Sequence, residues 1–172
     1  CYLADNIGNK VAFDFTKGFY VTPNLSAILS YINEIEDRST AEGGEIITAR
    51  IKTNNKIGYL YFKKFATIVQ AEDIFRSAME NFKSKNITKL IIDIRNNSGG
   101  DPGLAQWLCG FFVKVPTVVG FMYQKNGKSH NDFIGPLSVT THPIQPYLGD
   151  IPVILLTNRG SYSAASYLSG MM

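Results

Sequence analysis

The chain is poor in the residues from which covalent staples and metal sites are built. Its 172 residues include two cysteines, two histidines and one tryptophan. Cys1 and Cys109 cannot make a disulfide framework, and neither has a metal-ligand neighbour in sequence. His130 and His142 stand twelve residues apart in a loop-rich stretch, without ligand spacing, so no metal site is expected. A large excess of one charge is also missing. The formal net charge is +3, and the lysines are scattered, densest at Lys63-Lys64 and around Lys83, Lys85 and Lys89. With no arginine-aromatic stripe, nucleic acid is not indicated as a partner. No apolar run reaches membrane-spanning length, and no internal repeat or low-complexity tract is visible.

What is present is core material. At 45% hydrophobic and 18% charged residues, the composition fits one globular domain that needs no staples. The chain starts at Cys1 rather than Met, which is expected of a processed or excised piece. A leading cysteine fits the lipidated first residue of a bacterial lipoprotein or an arbitrary cut, and the second is favoured. Asn24-Leu-Ser, Asn86-Ile-Thr and Asn96-Asn-Ser match the glycosylation acceptor pattern, a three-residue signal of little specificity.

Residues 1–22 hold short strand-like runs, Val11-Ala-Phe-Asp-Phe and Gly18-Phe-Tyr-Val. Leu25, Ile28, Leu29, Ile32 and Ile35 then fall at helical spacing and predict a helix over 24–37. Ser39 to Gly44 reads as loop, and Gly43-Gly44 is the natural boundary between an N-terminal segment, 1–44, and a core, 45–172. Glu45–Lys52 and Lys56–Phe62 read as a hairpin around Thr53-Asn54-Asn55. An amphipathic helix follows, with Ile74, Phe75, Ala78, Met79 and Phe82 on one face and Lys83 near its end. Lys89–Arg95 reads as a buried strand. Asp101-Pro102 then caps a helix carrying Leu104, Trp107, Leu108, Phe111 and Phe112. Val115–Tyr123 and the residues after Lys128 bracket Asn126-Gly127, a tight-hairpin signal. The strand–helix alternation predicts an α/β layer with crossover helices.

Two stretches carry candidate chemistry. Ile151-Pro-Val-Ile-Leu-Leu-Thr reads as a strand buried on both faces, broken by Asn158-Arg-Gly-Ser before a helix that starts near Ser163. A hydroxyl at a strand-to-helix turn, with Ser161 and Ala165 as small neighbours, suits an exposed nucleophile. The plainer alternative is that Ser161 or Ser163 caps the helix. The second stretch is Leu90-Ile-Ile-Asp-Ile-Arg-Asn-Asn-Ser-Gly-Gly. Gly99 and Gly100 after a buried strand let backbone N–H groups line a crevice. Their spacing fits neither G-x-G-x-x-G nor a Gly-Lys-Ser/Thr phosphate loop. If the two strands are parallel, Gly99-Gly100 can face Ser163, which is the minimum arrangement for acyl-group hydrolysis.

Three stretches in order resemble the C-terminal processing, or tail-specific, serine peptidases. They are Lys56-Ile-Gly-Tyr-Leu-Tyr-Phe with Phe65, then Leu90 to Gly100, then Val153-Ile-Leu-Leu-Thr-Asn with Ser163-Ala-Ala. In the middle stretch Ser98 occupies the family's usual proline position. The resemblance implies a crotonase/ClpP-like layered sheet preceded by a small helix-and-strand segment. It also implies a serine endopeptidase acting on peptides or unfolded proteins, with no metal or organic cofactor and a cell-envelope, periplasmic or extracellular location. By position, Ser163 matches the nucleophile of a Ser-Lys dyad, with the N–H of Ala164 and that of Gly99 or Gly100 as the oxyanion hole.

Two positions depart from the family. The acid that usually lies three residues after the nucleophile is Ser166 here. The family's lysine lies roughly two dozen residues beyond the serine, past Met172, and Lys114, Lys125 and Lys128 match no such position. The isolated chain is therefore expected to be nearly inactive. The alternative on the same fold is a non-catalytic module that binds a ligand or peptide.

Overall fold

The computed structural model describes residues 56–172, together with the strand segments Tyr2–Ala4, Lys10–Ala12, Ser39–Thr40 and Ile47–Lys52. The helix expected over 24–37, the Gly43-Gly44 boundary, the run at Gly18 and the turn at 53–55 lie outside these residues. β1 (Tyr2–Ala4) and β2 (Lys10–Ala12) form an antiparallel pair. β3 (Ser39–Thr40), read from composition as loop, pairs antiparallel with β4 (Ile47–Lys52). Two polar residues give no periodic signal, so only the neighbouring strand reveals this one.

The main sheet has the order β3-β4-β5-β6-β9. β4 and β5 (Ile57–Phe62) are the expected hairpin arms, with Ile47 opposite Phe62. β5 then runs parallel to β6 (Lys89–Asp93), and β6 parallel to β9 (Val153–Leu156). A parallel neighbour needs a crossover, and α1 (Ile68–Ser84) supplies the one between β5 and β6. Its Phe75, Ala78, Met79 and Phe82 are fully buried, as the periodicity requires. The helix ends at Ser84, and just beyond it Asn86 takes φ 53°. There the Asn86 N–H donates to the Lys83 carbonyl at 3.0 Å and the Ile87 N–H to that of Phe82 at 3.3 Å, satisfying two terminal carbonyls. Phe62 joins helix and sheet, meeting Phe65 and Phe75 edge-on with ring centroids 5.0 Å apart in both pairs.

After β6 comes α2 (Pro102–Cys109), continued by a 3-10 turn, Gly110–Phe112. Asp101 caps it as expected, its Oδ1 accepting from the Gly103 N–H at 2.8 Å. β7 (Thr117–Lys125) and β8 (Phe133–Thr141) form a separate antiparallel ribbon. Its connection is longer than the Asn126-Gly127 signal suggests. It spans 126–132 and is shaped by Asp132, whose Oδ2 accepts from the Ser129 N–H at 2.7 Å and whose carbonyl accepts from the Asn126 N–H at 2.9 Å. A second expectation also needs correction. β9 is not buried on both faces, since Ile154 is 50% exposed while Val153 and Leu155 pack on the core. It is the outermost strand of the described sheet, and its second face meets no layer among the described residues. α3 (Ala164–Met171) follows β9, with Ala164, Ala165 and Leu168 buried.

Candidate active site

β6 and β9 are parallel neighbours, so the two turns that follow them emerge at the same end of the sheet. The glycine turn is clamped from two sides. The Phe65 N–H donates to the Gly99 carbonyl at 2.9 Å, and the Asp101 N–H donates to the Phe65 carbonyl at 3.0 Å. Gly99 has φ 87° and Gly100 φ 138°, conformations that a side chain disfavours. Space forbids one as well. A Cβ on Gly100 would overlap the Phe65 carbonyl oxygen, and a Cβ on Gly99 would lie 2.7 Å from the Tyr162 carbonyl oxygen and 2.9 Å from the Ala164 nitrogen.

Ser163 sits at the strand-to-helix turn with φ 58° and ψ −124°, a region that non-glycine residues seldom occupy. It is exposed, and its hydroxyl makes no capping bond. The plain capping alternative therefore fails for Ser163. It fails for Ser161 too, whose Oγ donates to the Ile94 carbonyl at 2.7 Å and accepts from the Asn158 N–H at 3.0 Å. Ser166 Oγ donates to the Ser161 carbonyl at 3.2 Å. Ala164 is the first residue of α3, so its N–H has no carbonyl one turn back to bind. The Gly99 N–H is already engaged, donating to Asn97 Oδ1 at 2.8 Å.

The structure thus sets Gly99 against Ser163 and Ala164, with Gly100 next in the chain against Phe65. Side chains that sequence reasoning did not single out hold them there. Asn158 exchanges two bonds with Asn96, its Oδ1 accepting from the Asn96 N–H and its Nδ2 donating to Asn96 Oδ1, both at 2.9 Å. Buried Asn97 donates through Nδ2 to the Phe62 carbonyl at 2.8 Å. At the end of β6, buried Asp93 accepts from the Tyr59 hydroxyl at 2.8 Å and from both Nε (2.9 Å) and Nη2 (2.5 Å) of Arg95. Burial, and then the Asp93 charge, push the Tyr59 phenol far above its ordinary value. The bond to Asp93 raises Arg95. Among the described residues no group of three His, Cys, Asp or Glu side chains gathers that could hold a metal ion. No described helix is long and apolar enough to cross a membrane.

The family model "Peptidase family S41" matches residues 56–172, well over half of the chain. The chain belongs to peptidase family S41. Two curated relatives are a chloroplastic carboxyl-terminal-processing peptidase of Arabidopsis thaliana and the carboxy-terminal processing protease CtpB of Bacillus subtilis. The first is 26% identical over 118 residues, covering 68% of this chain and 21% of the relative. The second is 30% identical over 118 residues, covering 69% and 22%. The chain therefore spans about a fifth of the length of the curated relatives it matches.

Solved structures agree on the fold. A candidate peptidase from Parabacteroides merdae superposes with a TM-score of 0.67 at 29% identity, over 84% of this chain and 44% of that one. The photosystem II D1 C-terminal processing protease gives 0.52 at 18% identity, over 67% and 27%, and supports the fold alone. The S41 match begins at Lys56. Asn97, Asn158 and Ser161 lie within this S41 region. In sequence Ser161 reads only as a small neighbour or cap, and Asn97 only as part of the Leu90 to Gly100 stretch; their bonds to the Ile94 and Phe62 carbonyls join residues distant along the chain.

Proposed function

We propose that this chain carries the nucleophile and oxyanion donors of a serine endopeptidase that hydrolyses peptide bonds through an acyl-enzyme on Ser163. The observation that carries this reading is an exposed serine held at φ 58°, without a capping bond, against a two-glycine turn. Such a backbone costs about 1–3 kcal/mol and persists where the surrounding structure enforces it.

In this reading the Ser163 Oγ bonds to the substrate carbonyl carbon as its proton passes to a base. The carbonyl oxygen becomes an oxyanion between the N–H groups of Gly100 and Ala164. Of the two glycines Gly100 is the donor, since the Gly99 N–H is bonded to Asn97. The Phe65 N–H fixes the Gly99 carbonyl, and a trans peptide sets its N–H opposite its C=O. The Gly100 N–H is thereby directed away from Phe65. Collapse breaks the C–N bond and the amine leaves with the proton. Water then cleaves the ester and restores Ser163.

The base in this reading is a lysine beyond the 172 residues. Lys114 does not serve, because its bond to Asp150 Oδ1 at 2.9 Å raises its pKa and keeps it protonated. Lys125 lies over the Phe133 ring. Residues 1–172 alone are then nearly inactive, with 45–172 as the catalytic core and 1–44 an N-terminal segment whose Ser39–Thr40 strand joins the same sheet. The substrates are peptides or unfolded proteins, met in the cell envelope or outside the cell. The test uses a chain extended through the lysine and an unstructured peptide. Ser163→Ala should lower turnover by at least ~10³-fold, and retention of full activity would remove the proposal.

A further inference from the structure

Asn126-Gly127 is the one asparagine-glycine pair in the chain. It does not form the tight turn that its sequence suggests. A two-residue asparagine-glycine turn holds both residues at positive φ, and neither Asn126 nor Gly127 has one. Both lie in the longer connection 126–132, and both are exposed. The loop is held by other groups, the Asn126 N–H donating to the Asp132 carbonyl at 2.9 Å and the Ser129 N–H to Asp132 Oδ2 at 2.7 Å. Neither the Asn126 side-chain amide nor the Gly127 N–H has a hydrogen-bond partner among the described residues.

The other described asparagines are placed differently. Asn97 also precedes a small residue, Ser98, but it is buried and its Nδ2 donates to the Phe62 carbonyl at 2.8 Å. Asn96 and Asn158 bond to each other. Asn81, Asn86 and Asn131 precede Phe82, Ile87 and Asp132, whose side chains crowd the nitrogen that follows each asparagine.

We propose that Asn126 is a self-modification site, at which the folded chain deamidates with water as the only co-reactant. The Gly127 nitrogen gives its proton to solvent and bonds to the Asn126 side-chain carbonyl carbon. The Cγ–Nδ2 bond breaks, and the nitrogen leaves as ammonia with a proton from water. The cyclic imide that remains is opened by water at either carbonyl, giving aspartate or isoaspartate. Glycine permits this attack, because no Cβ hinders its nitrogen or restricts its backbone. Either product adds a carboxylate to the loop that Asp132 shapes, where a Cβ on Gly127 would already overlap Asp132 Oδ2. Like charges in so short a loop repel. Isoaspartate also inserts a methylene into the backbone between the residue-126 N–H and the Asp132 carbonyl that accepts from it. The site does not depend on the reading of Ser163.

The experiment keeps residues 1–172 folded in mildly alkaline buffer and samples them over days. Peptide mapping by mass spectrometry locates the amide-to-acid conversion, and an isoaspartyl methyltransferase counts the isoaspartate. Residue 126 should convert first, to both products, and faster as pH rises, since the attacking nitrogen must lose its proton. Asn126→Ala should remove the methyl acceptor, and Gly127→Ala should slow its appearance several-fold. In urea Asn97 should convert as well, because its protection comes from burial and its bond to Phe62. An intact Asn126 while another asparagine converts, an unchanged rate in Gly127→Ala, or aspartate formed without isoaspartate would overturn the proposal. Conversion of Asn97 in the folded chain as fast as in urea would overturn the claim that the structure selects Asn126.

Discussion

Asn97 holds Gly99: its Oδ1 accepts the Gly99 N–H at 2.8 Å while its Nδ2 donates to the Phe62 carbonyl at 2.8 Å. Its own carbonyl accepts from the Tyr162 N–H at 3.2 Å, so one buried side chain and its backbone join β5, the glycine turn and the residue before Ser163. Asn97→Ala would leave two buried backbone groups without partners. The expected loss is about 2–6 kcal/mol, from roughly 1–3 kcal/mol for each of the two unsatisfied groups. Urea denaturation measures it, and a loss under about 1 kcal/mol would show that the turn does not depend on Asn97.

Gly99 leaves no room for a side chain. A Cβ there would stand 2.5 Å from the Ser163 Cβ. Gly99→Ala adds that overlap to a positive-φ penalty of about 1–2 kcal/mol. The two turns must then separate. We expect a drop of more than 2 kcal/mol in stability, together with loss of turnover in the extended chain. A variant as stable and as active as the parent would mean that the turns do not touch in solution.

The Tyr59–Asp93–Arg95 group tests a buried charge directly. Tyr59→Phe removes one bond to a fully buried carboxylate. Hydrogen bonds to charged groups contribute about 1.5–3 kcal/mol, and that is the expected decrease in unfolding free energy. Asp93→Asn should cost more, about 3–5 kcal/mol, because Arg95 loses its counter-charge. The reverse order would place the anchoring contact elsewhere.

Cys109 gives a pH dependence with a definite sign. Burial pushes its thiol up to about 12. In the unfolded chain it ionises near its ordinary value, about 8.5. Between these values the folded state holds a proton that the unfolded state has lost, so stability falls as pH rises from about 8.5 toward 12. Cys109→Ala should flatten that part of the profile, whatever its effect on absolute stability. Parallel profiles for the two proteins above pH 9 would contradict the assignment.

What could be read from sequence follows the range of the forces involved. α1 was legible because Phe75, Ala78, Met79 and Phe82 repeat with the helix period. The β4–β5 hairpin and the end of β6 were legible from local runs and glycines. The pairing of Ser39–Thr40 was not, since two polar residues form a strand only because β4 offers an edge. The β9 run is apolar throughout, and its composition does not tell that Ile154 meets no covering layer among the described residues. At the site, the meeting of Gly99-Gly100 with Ser163 was foreseeable from two parallel strand ends. Which of the two glycine N–H groups is already bonded was not. It depends on where the Asn97 side chain points, and nothing in the spacing announces that.

The central claim is that Ser163 is an activated nucleophile, and covalent capture tests it most directly. The chain extended through the proposed lysine is treated with a fluorophosphonate and digested, and the modified residue is located by mass spectrometry. The account predicts one adduct, on Ser163, absent from Ser163→Ala and much slower to form in residues 1–172 alone. An adduct on Ser161 or Ser166 instead, or none on Ser163 in a protein that cleaves peptides, would contradict it.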